Sequence, residues 1–170
     1  MTLDITIDDA RWQQAQLETL TTQAVRSTLQ HLGIDPETCE LSVLACDDPR
    51  ITDLNGEFRD KPSATNVLSW PAEDLAADLA GGAPECPEPD FTGEIALGDI
   101  AISYDTCVRE AADAAKPLDD HVRHLIVHGV LHLLGYDHVR DLDATLMESV
   151  EVEILGKMGV DNPYTENDSP

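Results

Sequence analysis

The sequence predicts an α+β fold: a small mixed sheet of about four strands packed with helices. Three observations lead there. Short runs that alternate or are apolar throughout occur at four places along the chain, and longer stretches carry a helical period. Strands and helices are mixed without strict alternation. A length of 170 residues suits one domain able to bury a substantial core.

The first strand is LDITI (3–7). A single amphipathic helix is expected from Ala10 to Leu32. Trp12, Leu17, Leu20, Ala24, Val25, Leu29 and Leu32 follow its period, and Gly33 stops it. ELSVLAC (40–46) reads as the second strand. Asp47-Asp48-Pro49 then offers an N-cap with proline in the first turn, so a helix runs from about Pro49 to Phe58. VLSW (67–70) and DIAISY (99–104) supply the remaining strands. Helices follow at 105–115 and 119–134, separated by Pro117, and a last one at 139–157. The domain is expected to span 1–161, with a flexible tail at 162–170.

Between Lys61 and Arg109 there is no Lys or Arg. Within that stretch, residues 72–93 combine Gly81, Gly82, Pro84, Pro87 and Pro89 with acids. They read as a loop insertion between two strands that supplies no core.

The chain carries 10 Lys+Arg against 34 Asp+Glu, a formal net charge of −24. Such a field repels polyanions at long range, so bulk electrostatic binding to nucleic acid is excluded, while a local basic site is not. MTLDITIDDARW has neither a basic leader nor an apolar stretch, and no window approaches the ~18 apolar residues of a membrane helix. Cys39, Cys46, Cys86 and Cys107 form no CxxC pair. Free, buried or semi-buried thiols in a reducing cytoplasm are expected.

The chemistry is concentrated in HGVLHLLGYDH (128–138). His128 and His132, four apart on a helix, share one face, and both rings can reach one ion. Gly135 permits a left-handed helix end that folds His138 back toward them. Three imidazoles and an open fourth position are the pattern of a catalytic zinc. The spacing is that of the zincin-like metal helix of metzincin peptidases. The position of their general-base glutamate is Gly129, however, and a glycine takes no proton. His121 and His124 lie on the same helix face and could extend the site, orient a ligand from outside, or simply be polar residues near the helix start. His31, beside Gly33, reads as structural.

LNGEFR (54–59) ends at Arg59, with Lys61 close behind, and TNVLSWP (65–71) follows. An arginine leading into a strand can grip a phosphate in bidentate fashion. It can equally form a surface pair with Glu57 or Asp60. Taken with GDIAIS (98–103) and the histidine block, these segments resemble the bacterial YbeY-type endoribonucleases, or rRNA maturation factors. The resemblance runs from about Leu41 to Leu155. Phe58 departs from the more usual Tyr, Asn66 from Asp and Trp70 from Phe, and none of these changes removes a metal ligand.

The resemblance implies one zinc ion per chain at His128, His132 and His138. It also implies that Arg59 lies across a cleft from the metal and acts in cleaving single-stranded RNA, in maturation of the 16S 3′ end and in ribosome quality control. Implied partners are ribosomal RNA, a small-subunit ribosomal protein and a ribosome-assembly GTPase, with no DNA and no membrane. Arg59 and Lys61 are the candidate RNA-binding residues. The candidates for a base are Asp137 and Tyr136. Two rivals stand beside this reading: a peptidase-like metallohydrolase, and a non-catalytic assembly factor with a structural zinc.

Overall fold

The computed structural model describes residues 1–164. In it the alternation of each strand sorts side chains between the two faces of one sheet. The strands are β1 (Thr2–Ile7), β2 (Cys39–Cys46), β3 (Val67–Pro71) and β4 (Ile95–Ser103), in the order β1-β2-β4-β3. β1 pairs with β2 and β2 with β4 in parallel, while β3 runs antiparallel along β4. The described helices are α1 (Arg11–Gln14), α2 (Leu17–His31), α3 (Asp48–Arg59), α4 (Tyr104–Asp113), α5 (Leu118–Leu133) and α6 (Asp141–Lys157). The expected mixed α+β sheet is what forms.

Leu41, Val43, Ile100 and Ile102 point to the main core, where they meet Leu20, Val25 and Leu29 of α2 and Val122, Ile126 and Val130 of α5. A smaller cluster, Cys46, Ile51, Leu68 and Ala101, seats α3. Helix α5 touches the sheet through β3 and β4 and also packs on α2, α4 and α6. It is the spine on which the site is built.

The single helix expected from Ala10 to Leu32 is instead two helices. Gln16 adopts a left-handed φ of 55° and breaks it. At ~100° per residue, Trp12 would otherwise lie roughly 140° around the helix from Leu17, off the apolar stripe. The break lets Trp12 bury completely, its indole donating to the Cys46 carbonyl at 2.9 Å. The last strand begins at Ile95, not residue 99, because a bulge opposite Glu40/Leu41 interrupts its alternation. Gly98, at φ +131°, belongs to that irregularity, and a Cβ there would overlap the Trp70 carbonyl oxygen.

Cys39, Cys46 and Cys107 are free and buried, while Cys86 is free and exposed. Segment 72–93 is mostly irregular, as expected, but it does supply core. Leu75 is only 5% exposed, and its backbone lies over Gly135. Arg140 donates to the carbonyls of Asp78 and Ala77, both at 3.0 Å, and Asp143 accepts the Gly81 N–H at 2.8 Å. Of the expected flexible tail, residues 165–170 lie outside the described residues. Residues 162–164 form a turn that brings Tyr164 back onto α6.

Leu75→Ala is expected to cost about 2 kcal/mol, whereas Leu79→Ala, at a position 79% exposed, should stay within about 0.5 kcal/mol. Denaturant titration of the two variants checks this. Equal midpoints would show that the segment does not pack.

Candidate metal centre

Helix α5 carries the first two histidines, and its contact with the sheet explains the residue between them. A Cβ at Gly129 would come within 3.1 Å of Ile100 Cδ1 and 3.3 Å of Ser69 Oγ. Ser69 Oγ also donates to the Gly129 carbonyl. The position faces the sheet at close range, so any side chain there would crowd Ile100 and Ser69.

The helix ends in a Schellman turn. The Gly135 N–H reaches the His132 carbonyl at 3.1 Å, and the Tyr136 N–H reaches that of Leu131 at 3.0 Å. Gly135 has φ +99°, and a Cβ would fall 2.7 Å from the Leu75 carbonyl carbon, so glycine is required twice over. The turn returns His138 to the helix. Donor atoms of His128, His132 and His138 all lie within 4.8 Å of one another.

Hydrogen bonding selects the tautomers. His132 Nδ1 lies 3.0 Å from the Tyr136 carbonyl oxygen, which only accepts, so the proton sits on Nδ1. His128 Nδ1 lies 2.8 Å from Glu151 Oε1. The two free Nε2 atoms then face each other at 3.0 Å. Facing lone pairs repel unless a cation lies between them. Burial first, then the neighbouring His128 and His138, push His132 down to about 4, which keeps it neutral as a ligand must be. The donor set therefore fits a metal ion.

Glu151 is the residue that sequence reasoning missed. It is fully buried and shares the α6 face with Met147, Ile154 and Leu155. An acid on an apolar stripe was the available signal. Burial would raise its carboxyl, but the hydrogen bonds from His124, His128 and the Tyr164 hydroxyl outweigh that and hold it at about 2. His124 is thus drawn to Glu151, at 3.3 Å. His121 instead meets Glu110 at 2.9 Å, with its own pKa lowered by burial. His31 lies between Glu153, at 3.1 Å, and Lys157, at 2.7 Å.

A cleft of about 800 Å³ opens over the cluster, and Arg59 lines it together with the three histidines. Arg59 donates to the Ser69 carbonyl and lies 6.0 Å from the Trp70 ring centre. Its ion pair with Glu57 or Asp60 does not form among the described residues. Lys61 is exposed beyond the end of α3 and is not part of the cleft lining. Asp137 lines the cleft and accepts the His138 backbone N–H at 2.7 Å. Burial pushes the Tyr136 hydroxyl up, which disfavours it as a base.

Fold and site define a class: an α+β protein with a helix-borne three-histidine centre open to a cleft that also holds an arginine. The comparisons place it more narrowly. The family model described as endoribonuclease YbeY matches residues 3–159, and the chain belongs to that family. The endoribonuclease YbeY of Ruegeria pomeroyi is 65% identical over 165 residues, covering 97% of this chain and 99% of that protein. That of Bartonella quintana is 40% identical, with 98% of each chain covered. The solution structure of TM1509 from Thermotoga maritima covers 98% of this chain and 97% of its own at a TM-score of 0.53. At 20% identity, that likeness concerns the fold alone.

The lowered values give the metal-free chain a defined pH response. His132 has a folded pKa of about 4, below its unfolded 6.5, so the unfolded chain binds the extra proton. Stability is therefore expected to fall as pH drops from 6.5 toward 4, by on the order of 2–3 kcal/mol. His121 adds to the same window. Glu151, with a folded value of about 2 against 4.5, extends the loss below that. Urea midpoints across pH check this, and His132→Gln should flatten the first window. An unchanged slope in that variant would contradict it.

Proposed function

We propose that this chain is a zinc-dependent endoribonuclease that cuts single-stranded ribosomal RNA in the cytoplasm. Its role is maturation of the 16S 3′ end and ribosome quality control. Endoribonuclease activity rests on family membership. The observation that carries the site reading is the shared cleft, in which three convergent histidines face the same space as Arg59.

His128, His132 and His138 hold the ion in this reading. Bound there, zinc supplies Lewis acidity toward a phosphoryl oxygen and a water pKa lowered to ~7. Arg59 places a planar fork of donors opposite, where charge develops on the transferring phosphoryl group. The Ser69 carbonyl holds the guanidinium beside the cleft. Asp137 is the candidate proton acceptor, since its carboxylate lies on the cleft wall next to a ligand. Lys61 is the candidate for contact with RNA beyond the cleft.

Glu73 and Asp74 also line the cleft, and the chain carries −24 overall. Free RNA is repelled at range by such a field. Delivery through a small-subunit ribosomal protein or a ribosome-assembly GTPase brings substrate to the acidic enzyme. No helix among the described residues is long and apolar enough to cross a membrane.

The peptidase-like rival lacks its glutamate because Gly129 faces the sheet. The assembly-factor rival requires a closed structural zinc, whereas this cluster opens on a cleft and includes the exposed His138. Assays of the purified chain on RNA and on unfolded polypeptide, with and without chelator, separate the three. Chelator-sensitive cutting of RNA alone is the expected result. Chelator-sensitive cutting of polypeptide, or no cutting of either, would favour a rival.

His138→Ala should abolish stoichiometric zinc by elemental analysis. A full equivalent retained would remove His138 from the site. Arg59→Ala should keep bound zinc and nearly all thermal stability while slowing RNA cleavage by roughly 10²–10³. Arg59→Lys should recover only part of the rate, because a point charge does not reproduce the fork. Full cleavage by the alanine variant would exclude Arg59 from the mechanism.

A further inference from the structure

Glu151 has no exposed surface, yet it sits on a helix face that otherwise buries apolar residues. A carboxylate in such a place is destabilising unless its lone pairs find donors. Its two oxygens divide that task. Oε1 meets His128 Nδ1 at 2.8 Å and His124 Nε2 at 3.3 Å. Oε2 accepts the Tyr164 hydroxyl at 2.6 Å. Tyr164 stands on the turn after α6 and also touches His124 Nε2 at 3.3 Å. A buried acid, two histidines of α5 and a tyrosine from beyond α6 thus form one connected network.

The network meets the candidate metal centre at one ring. His128 offers Nδ1 to Glu151 and Nε2 to the space it shares with His132. A carboxylate at Nδ1 fixes the ring's tautomer and orientation and makes the opposite nitrogen a stronger donor. His132 is held in the same sense by the Tyr136 carbonyl, a neutral acceptor on the adjacent turn. The two helix-borne histidines are thus both fixed through Nδ1, one by a charged group reaching in from α6 and one by backbone.

We infer that Glu151 is a positioning residue of the metal centre: it holds His128 with Nε2 toward the ion, and Tyr164 locks the Glu151 carboxylate in turn. This rests on the zinc reading above. His124 serves as a second donor to Glu151, outside the ligand set. Donor atoms of His124, His128 and Glu151 also lie within 4.8 Å of one another. A second ion there would have to displace the hydrogen bonds that satisfy the buried acid, so the inference requires one zinc per chain.

The experiment uses the full chain and zinc alone. Zinc affinity is measured by competition with a chromophoric chelator, and stoichiometry by elemental analysis. The imidazole N–H protons of the zinc-loaded chain are followed by NMR. The wild type should bind one zinc and show a slowly exchanging, downfield Nδ1–H proton on His128. Glu151→Gln should still bind one zinc but 10- to 100-fold more weakly, and should lose that downfield proton. Tyr164→Phe, a change at a half-exposed ring, should weaken zinc in the same direction by a smaller factor. It carries the test if Glu151→Gln fails to fold.

Unchanged zinc affinity in whichever of these variants folds would overturn the role. So would a wild-type His128 lacking the Nδ1–H signature. Two zinc ions in the wild type and one in Glu151→Gln would make Glu151 a ligand instead. A wild type without zinc, in contrast, would overturn the metal centre itself and this role with it.

Discussion

The end of α5 is the constraint on which the site depends. His128 and His132 are spaced by the helix, but His138 joins them only because the chain turns through Gly135 at φ +99°. A side chain at Gly135 would strain the backbone and collide with the Leu75 segment lying over it. The same turn aims the Tyr136 carbonyl at His132 Nδ1. One backbone conformation thus brings in the third histidine, sets the tautomer of the second and seats the loop that forms part of the cleft wall.

The other end of the histidine pair is set by packing against the sheet. Gly129 lets α5 approach Ser69 and Ile100 closely, and Ser69 also provides the carbonyl that holds Arg59. The sheet strand, the metal helix and the cleft arginine are therefore registered to each other through one residue of β3. This puts a glycine where a peptidase-like glutamate would stand and holds the Arg59 guanidinium on the wall of the same cleft. In a chain with a formal charge of −24, a guanidinium in that position acts locally, with little help from the overall field.

Much of this was legible because helical spacing is a distance statement. Residues four apart on a helix must be neighbours, and glycine at a helix end permits a left-handed turn, so the sequence alone points the three histidines to one place. Arg59 was legible as a scarce positive charge leading into a strand. What was missed depends on long-range packing. The break at Gln16 serves Trp12, whose partner carbonyl is Cys46 on a distant strand. Leu75 is buried, and its backbone lies against Gly135, far along the chain, although its own surroundings in sequence read as loop. Glu151 lay on a recognisable apolar stripe, but its donors come from α5 and from the turn at Tyr164, and nothing local announces either.

Zinc-edge X-ray absorption of the loaded protein tests the centre of three imidazoles most directly. The expected spectrum shows three imidazole nitrogens and one further light-atom ligand, with no sulfur, since Cys39, Cys46 and Cys107 are buried and the exposed Cys86 is not among the cleft residues. A sulfur scatterer, or fewer than three imidazoles at full occupancy, would contradict it.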